Sequence, residues 1–170
     1  FQTALDEALS LAEEAATSGA EFIATPEYCG GLKRKGSSFA PPSAPEASHP
    51  VLKGLRAFAK DKSRFVLIGS IAIDGPDNKI LNRSFLIDKE GNIVSRYDKI
   101  HMFDVNLPNG ESYRESKNFR PGREAVIANT EFGVVGLSIC YDLRFAHLYR
   151  SLAHAGAHLL AVPAAFTRVT

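Results

Sequence analysis

Two cysteines in 170 residues, Cys29 and Cys140, with no Cys-x-x-Cys pair, argue against both a disulfide scaffold and a zinc ribbon. A reducing compartment, the cytoplasm, is the expected setting. Excess charge is equally scarce. Twenty basic residues against nineteen acidic ones leave a formal net charge of +1, and so no overall field toward nucleic acid or anionic lipid. No apolar run approaches the roughly 20 residues that cross a bilayer. The N-terminus has no basic segment ahead of an apolar stretch. The expectation is therefore no nucleic-acid partner and no membrane. Neither Gly-x-Gly-x-x-Gly nor Gly-x-x-x-x-Gly-Lys-Ser/Thr occurs, which removes the main sequence support for a dinucleotide or P-loop site.

What is present is the composition of one globular domain over residues 1–170, 45% hydrophobic and 23% charged. Leu5, Ala8, Leu9, Ala12, Ala15 and Ala16 recur at helical spacing between Ala4 and Ser18, with Gly19 as a stop. Phe22-Ile23-Ala24 reads as a buried strand closed by Thr25-Pro26, which places Glu27 just past a strand end. The proline-rich stretch from Ser37 to Pro50 reads as a surface loop. Val51, Leu52, Leu55, Phe58 and Ala59 form a second helical stripe, and the run from Phe65 to Ile73 an interior strand. A hairpin follows, with strands over 84–88 and 93–97. The polar segment Asp104 to Gly122 is predicted to be a site loop. Strands over 126–128 and 134–139, a helix carrying Phe145, Leu148 and Leu152, and a strand over 159–162 complete an α/β layered pattern with mixed sheets.

Cys140 sits where an apolar strand gives way to the polar stretch Tyr141-Asp142-Leu143-Arg144, predicted to open the next helix. A thiol there can face a crevice while backbone N–H groups of the turn point at a developing oxyanion. The alternative is an inert buried thiol, the commoner fate of free cysteine. Glu27 lies among small and apolar residues, where desolvation favours a general base, or else is an ordinary turn glutamate. Lys99 is by itself a solvated charge. His154 and His158 are four apart, but Gly156 between them breaks the helix a zinc pair needs, so no metal site is expected. Asn82-Arg83-Ser84 matches a glycosylation sequon by chance in a chain without a secretory signal. Cys29 is expected to pack rather than react.

Three segments taken together change the weighing. They are Ala24-Thr25-Pro26-Glu27-Tyr28, Arg96-Tyr97-Asp98-Lys99-Ile100-His101-Met102-Phe103-Asp104-Val105 and Leu137-Ser138-Ile139-Cys140-Tyr141-Asp142-Leu143-Arg144-Phe145. Their Glu, Lys, Cys order resembles the nitrilase superfamily of carbon–nitrogen hydrolases over essentially the whole chain. The segments Pro108–Ser116 and Val162–Thr167 resemble the branch containing the deaminated-glutathione and omega-amidases, and Tyr113-Arg114-Glu115-Ser116 leans toward the former.

The resemblance implies a four-layer αββα sandwich and a cysteine-dependent amidase that forms a thioester and needs no cofactor. It assigns Glu27 as base, Lys99 and the Tyr141 N–H as oxyanion donors, Cys140 as nucleophile, and Glu115 as a second glutamate orienting Lys99 and the substrate. Arg144 or Tyr141 is a candidate contact for a substrate carboxylate. The implied partners are a small-molecule amide and, for a complete protein, a second copy of the chain in a homodimer or larger assembly. Omega-amidase, nitrilase and N-carbamoyl amidohydrolase chemistry fit the same three residues, and an inactive interaction module is the non-enzymatic alternative. Family members carry a strand before the first helix and further elements after the last segment, so the chain is expected to be truncated at both ends. Ala146 and His147 stand where the family commonly has proline and glutamate.

Overall fold

Strand β5 (Phe65–Asp74) is the backbone of the molecule, buried along nine of its ten residues. In the computed structural model, which describes residues 1–35, 38–107, 110 and 112–166, its side chains alternate between two apolar clusters. Val66 and Ile68 face one side and Phe65 and Leu67 the other, as a pleat requires. Beyond Gly69-Ser70 the parity changes, and Ile71 and Ile73 face the same side as Val66. A bulge causes this: Ile68 pairs with Phe85 but Ile71 with Arg83, so one extra residue is accommodated on β5.

The first sheet runs β1 (Phe22–Ala24), β5, β6 (Ile80–Ile87), β7 (Ile93–Asp98), with β1 parallel to β5 and the others antiparallel. Helices α1 (Gln2–Thr17) and α2 (Pro50–Lys62) cover one face, burying Ala12, Val51, Leu52, Leu55, Phe58 and Ala59. Pro50 is suited to the first turn of α2, where its missing N–H would have no helical partner. The second sheet is β10 (Val126–Thr130), β11 (Gly133–Leu137) and β12 (Leu159–Ala161). Helix α3 (Ala146–His154) packs on it through Leu148 and Leu152, while a Cβ at Gly136 would press on Leu152. Leu137, Ile139, Leu67, Leu86 and Tyr97 share the cluster between the sheets. The layers are helix, sheet, sheet, helix, as the resemblance implies.

Two loop expectations need correction. The Ser37–Pro50 stretch holds two short strands, β3 (Ser38–Ala40), paired with β2 (Lys33–Lys35), and β4 (Ser43–Ala44), paired with β5. Prolines stop helices there but leave room for two- and three-residue ladders between them. A 3-10 turn, Glu46–Ser48, follows, and His49 is fully buried. The predicted site loop contains a hairpin, β8 (Asp104–Asn106) and β9 (Ser112–Arg114), then a 3-10 turn, Glu115–Lys117. Of the two family-like segments, Pro108, Asn109, Glu111 and Thr167 lie outside the described residues. The stretch from Cys140, predicted to open the next helix, is instead a separate 3-10 turn, Cys140–Arg144, and α3 begins only at Ala146.

Candidate active site

Glu27 is positioned by the bulge. A Cβ on Gly69 would lie 2.0 Å from the Thr25 carbonyl oxygen and 2.5 Å from that of Pro26, so only glycine lets the turn after β1 approach β5 this closely. Ser70 then holds the turn. Its Oγ accepts the Tyr28 N–H at 2.9 Å, its carbonyl accepts the Cys29 N–H, and its own N–H reaches the Pro26 carbonyl. Tyr28 takes a left-handed backbone conformation (φ 55°), which turns the chain at this point. Glu27 is left 5% exposed between the sheets.

Lys99 follows β7 and is 2% exposed. Its backbone is tied on both sides, the N–H to the Asn82 carbonyl and the C=O to the Gly122 N–H. Its ammonium donates to Glu115 at 2.9 and 3.1 Å and to Glu27 at 3.4 Å. Burial works against the charge of Lys99, but the Glu27 and Glu115 carboxylates outweigh it, and its proton affinity is raised. Cys140 adopts φ 50°, a strained conformation for a side-chain-bearing residue, and its N–H is held by the Pro163 carbonyl at 2.9 Å. Its thiol is pushed up to about 12, first by burial and then by the charge of Glu27, with which it is in hydrogen-bonding reach. Cys140 is therefore a neutral thiol at rest, and attack by its sulfur would require a base.

The two glutamates differ in what remains free on them. Both Glu115 oxygens are occupied, Oε1 by Tyr28 Oη (3.1 Å) and Lys99, Oε2 by Lys99 and the Phe103 N–H (2.6 Å). Four hydrogen bonds hold it in place. Among the described residues Glu27 accepts Asn82 Nδ2 at 2.9 Å and the long Lys99 bond on Oε1, and the Ala165 N–H at 3.0 Å on Oε2, leaving capacity for the thiol proton. Burial, followed by the Glu115 charge, drives the Tyr28 phenol well above its ordinary range, so it stays a donor.

Of the residues singled out in the sequence, Glu27, Lys99, Glu115 and Cys140 come together here. Tyr141 lies half-buried beside them, its ring 5.0 Å from Phe103 and 5.5 Å from Phe145. Arg144 is exposed and has no ion-pair partner among the described residues. Cys29 packs on the helix-side cluster, and burial pushes its thiol up to about 11. His158 Nδ1 accepts the Val134 N–H, and no group of side chains suited to a metal occurs among the described residues. Sequence reasoning missed Tyr28, Asn82, Tyr97, His101 and Asp142. Asn82 stood out only as a sequon, yet it is buried against Glu27. A separate cavity of about 360 Å³, lined by Arg96, Arg120 and Arg123 among others, contains none of the four converging groups.

A family model described as carbon-nitrogen hydrolase matches residues 1–169. The chain is 37% identical over 157 residues to the deaminated glutathione amidase of Yersinia enterocolitica, covering 90% of this chain and 54% of that protein. It is 34% identical over 163 residues to an omega-amidase of Homo sapiens, covering 96% and 58%. The chain thus spans little more than half the length of these relatives. The NitFhit protein of C. elegans superposes with a TM-score of 0.84 at 26% identity, over 98% of this chain and 41% of that one. No helix among the described residues is long and apolar enough to cross a membrane. By family match, similarity and fold, this chain belongs to the carbon–nitrogen hydrolases of the nitrilase superfamily.

Proposed function

We propose that this chain carries the active site of a cysteine-dependent amidase that converts a small primary amide to a carboxylic acid and ammonia. The observation that supports this reading most is the convergence of a thiol, an ammonium and two carboxylates at one buried point, with Glu27 alone retaining acceptor capacity.

Glu27 takes the Cys140 proton as sulfur attacks the amide carbon. The tetrahedral oxyanion is held by the Lys99 ammonium and the Tyr141 N–H. Protonated Glu27 delivers its proton to the amide nitrogen, the C–N bond breaks, and ammonia departs, leaving a thioester. Glu27 then deprotonates water as it attacks the thioester. Collapse of this second intermediate breaks the C–S bond, the acid leaves, and sulfur recovers its proton from Glu27. Glu115, saturated with donors, keeps Lys99 aimed and charged throughout. Arg144, exposed and without an ion-pair partner among the described residues, is assigned to a substrate carboxylate.

The similarity to deaminated glutathione amidase favours a small peptide-derived or dicarboxylate-like amide, with an ω-amide as the competing class. The active form is assigned as a homodimer or larger. Exposed Leu143, Leu159, Leu160 and Phe166 support it, being apolar surface near the nucleophile turn, on β12 and beyond Pro163. Two unpaired thiols support a cytoplasmic setting.

Ammonia release from a panel of deaminated glutathione, ω-amides, nitriles and N-carbamoyl compounds tests the reading, with Cys140→Ala as control. Turnover of an amide that vanishes in Cys140→Ala is expected. Amide turnover that survives the substitution would sink the mechanism, and turnover of nitriles or carbamoyl compounds alone would replace the substrate class.

A further inference from the structure

Asp142 is fully buried and yet collects four hydrogen bonds, all from the two segments that carry Lys99 and Cys140. Its Oδ1 accepts the His101 N–H at 3.0 Å and faces His101 Nδ1 at 2.7 Å. Its Oδ2 accepts Tyr97 Oη at 2.7 Å and the Ile139 N–H at 2.9 Å. Tyr97 and His101 flank Lys99 two residues to either side. Ile139 and Asp142 itself flank Cys140.

We propose that Asp142 is a positioning residue that fixes the spacing and orientation of Lys99 relative to Cys140, acting through Tyr97 and His101. This rests on the amidase reading above and adds to it a group that touches neither substrate nor thiol.

A carboxylate with no exposure is expensive to bury and is tolerated here because every acceptor direction is met. Apolar packing would join the two segments at lower cost, as Leu137, Ile139 and Leu86 already do around it. What apolar contact does not supply is direction. One oxygen grips the Lys99 segment alone, and the other spans both segments, so neither turn can slide or rotate without breaking short bonds. His101 is held in turn by stacking on Phe145, at 3.6 Å between centroids and 10° between planes, and Phe145 ends the nucleophile turn. The Tyr97 phenol, driven well above its ordinary range by burial and then by the Asp142 charge, remains a donor. An oxyanion donor displaced by about 1 Å loses about a hundredfold in rate, so a rigid link between these two turns acts directly on the chemical step.

The test is a series in this chain: Tyr97→Phe, His101→Ala, His101→Asn, Asp142→Asn and the Asp142→Asn/His101→Ala double variant, each assayed for kcat and KM on the amide the wild type turns over. Tyr97→Phe and His101→Ala should each lower kcat by about 10- to 100-fold while KM moves by less than about threefold. His101→Asn, whose side-chain N–H can take the place of Nδ1–H, should recover most of the loss. His101→Ala should cost little more once Asp142→Asn is present, because both remove one link. Wild-type kcat in folded Tyr97→Phe and His101→Ala, or multiplicative losses in the double variant, would overturn the proposal. If Asp142→Asn does not fold, the Tyr97 and His101 variants decide alone. If the wild type hydrolyses no amide, it is the amidase reading that fails. The link is then judged by hydrogen exchange at the Ile139 and His101 amides, which should quicken together in Asp142→Asn. Unchanged protection at both would overturn it.

Discussion

The two faces of the first sheet solve opposite problems with the same strand. Toward α1 and α2, β5 presents Val66, Ile68, Ile71 and Ile73 to a cluster that is almost wholly apolar, with Cys29 packed against it and His49 buried nearby. Toward the second sheet the buried set includes Glu27, Lys99, Asn82, Ser84, Ser138 and Asp142. Burial on the helix face is stabilising atom by atom, at about 25 cal/mol per Å². On the other face burial penalises each charge, and the fold tolerates it because the groups satisfy one another. The helix face should therefore register mutations as stability, and the sheet-facing side as stability and activity together.

Lys99→Met breaks this contrast hardest. It leaves Glu27 and Glu115 buried side by side without their shared cation, and removing one member of a buried charged set costs about 3–5 kcal/mol. Urea unfolding should show that loss, and ammonia release should vanish in whatever remains folded. Leu55→Ala, at a fully buried position of α2, should cost about 2–5 kcal/mol by the same measurement. Its kcat per folded molecule should match the wild type. Loss of kcat there would mean that the helix layer, and not only the bulge, positions Glu27.

That asymmetry also explains what the sequence could disclose. Apolar faces announce themselves by period: the stripes of α1 and α2 and the unbroken run of β5 are visible because burial repeats with the geometry of the element. The three chemistry-bearing segments are visible by resemblance, through residues such as Glu27, Lys99 and Cys140. The supporting groups carry no such mark. Asp142 differs from a surface aspartate only in what surrounds it, and Tyr97 occupies a position that any large apolar residue would also satisfy. The bulge was hidden for a related reason. Gly69-Ser70 breaks the apolar run for only two residues, and whether such a break changes the parity shows only when the partner residues on β6 are known. Short ladders such as β3 and β4 escape because two or three residues hold no period at all.

The buried histidine on the helix face gives a smaller, pH-dependent effect. His49 precedes α2 with neither ring nitrogen hydrogen-bonded among the described residues, and burial lowers its proton affinity to about 4 from an ordinary 6.5. Asp74 pulls the other way. Between those values the unfolded chain takes up a proton that the folded one refuses, so stability falls as the pH drops through this window. From pH 7 to pH 5 the loss from this group should be about 2 kcal/mol. His49→Leu should flatten that part of the curve. An equal decline in the variant would place the sensitivity on the charged side instead.

The smallest effect is expected where charge meets solvent. Glu46 is shared by Arg83 of β6 and Arg96 of β7, at 2.7 and 2.8 Å, with about a quarter of its side chain exposed. Burial alone would raise its carboxyl, but hydrogen bonds from Arg96 and Arg83 outweigh it and hold it below the usual range. Its contribution is therefore present at neutral pH and lost as the carboxylate protonates in acid. Water and salt screen the pair, so Glu46→Gln should cost only about 0.5–1 kcal/mol, less still in high salt, with kcat unchanged. Arg83 retains both of its bonds to Asp98, at 2.7 and 2.8 Å, and that second partner is why losing Glu46 should not unseat β6 beside Lys99. A kcat that falls in Glu46→Gln would show that the active site extends its dependence to the sheet rim, and that the division between structural and catalytic charge lies further out than Asp98.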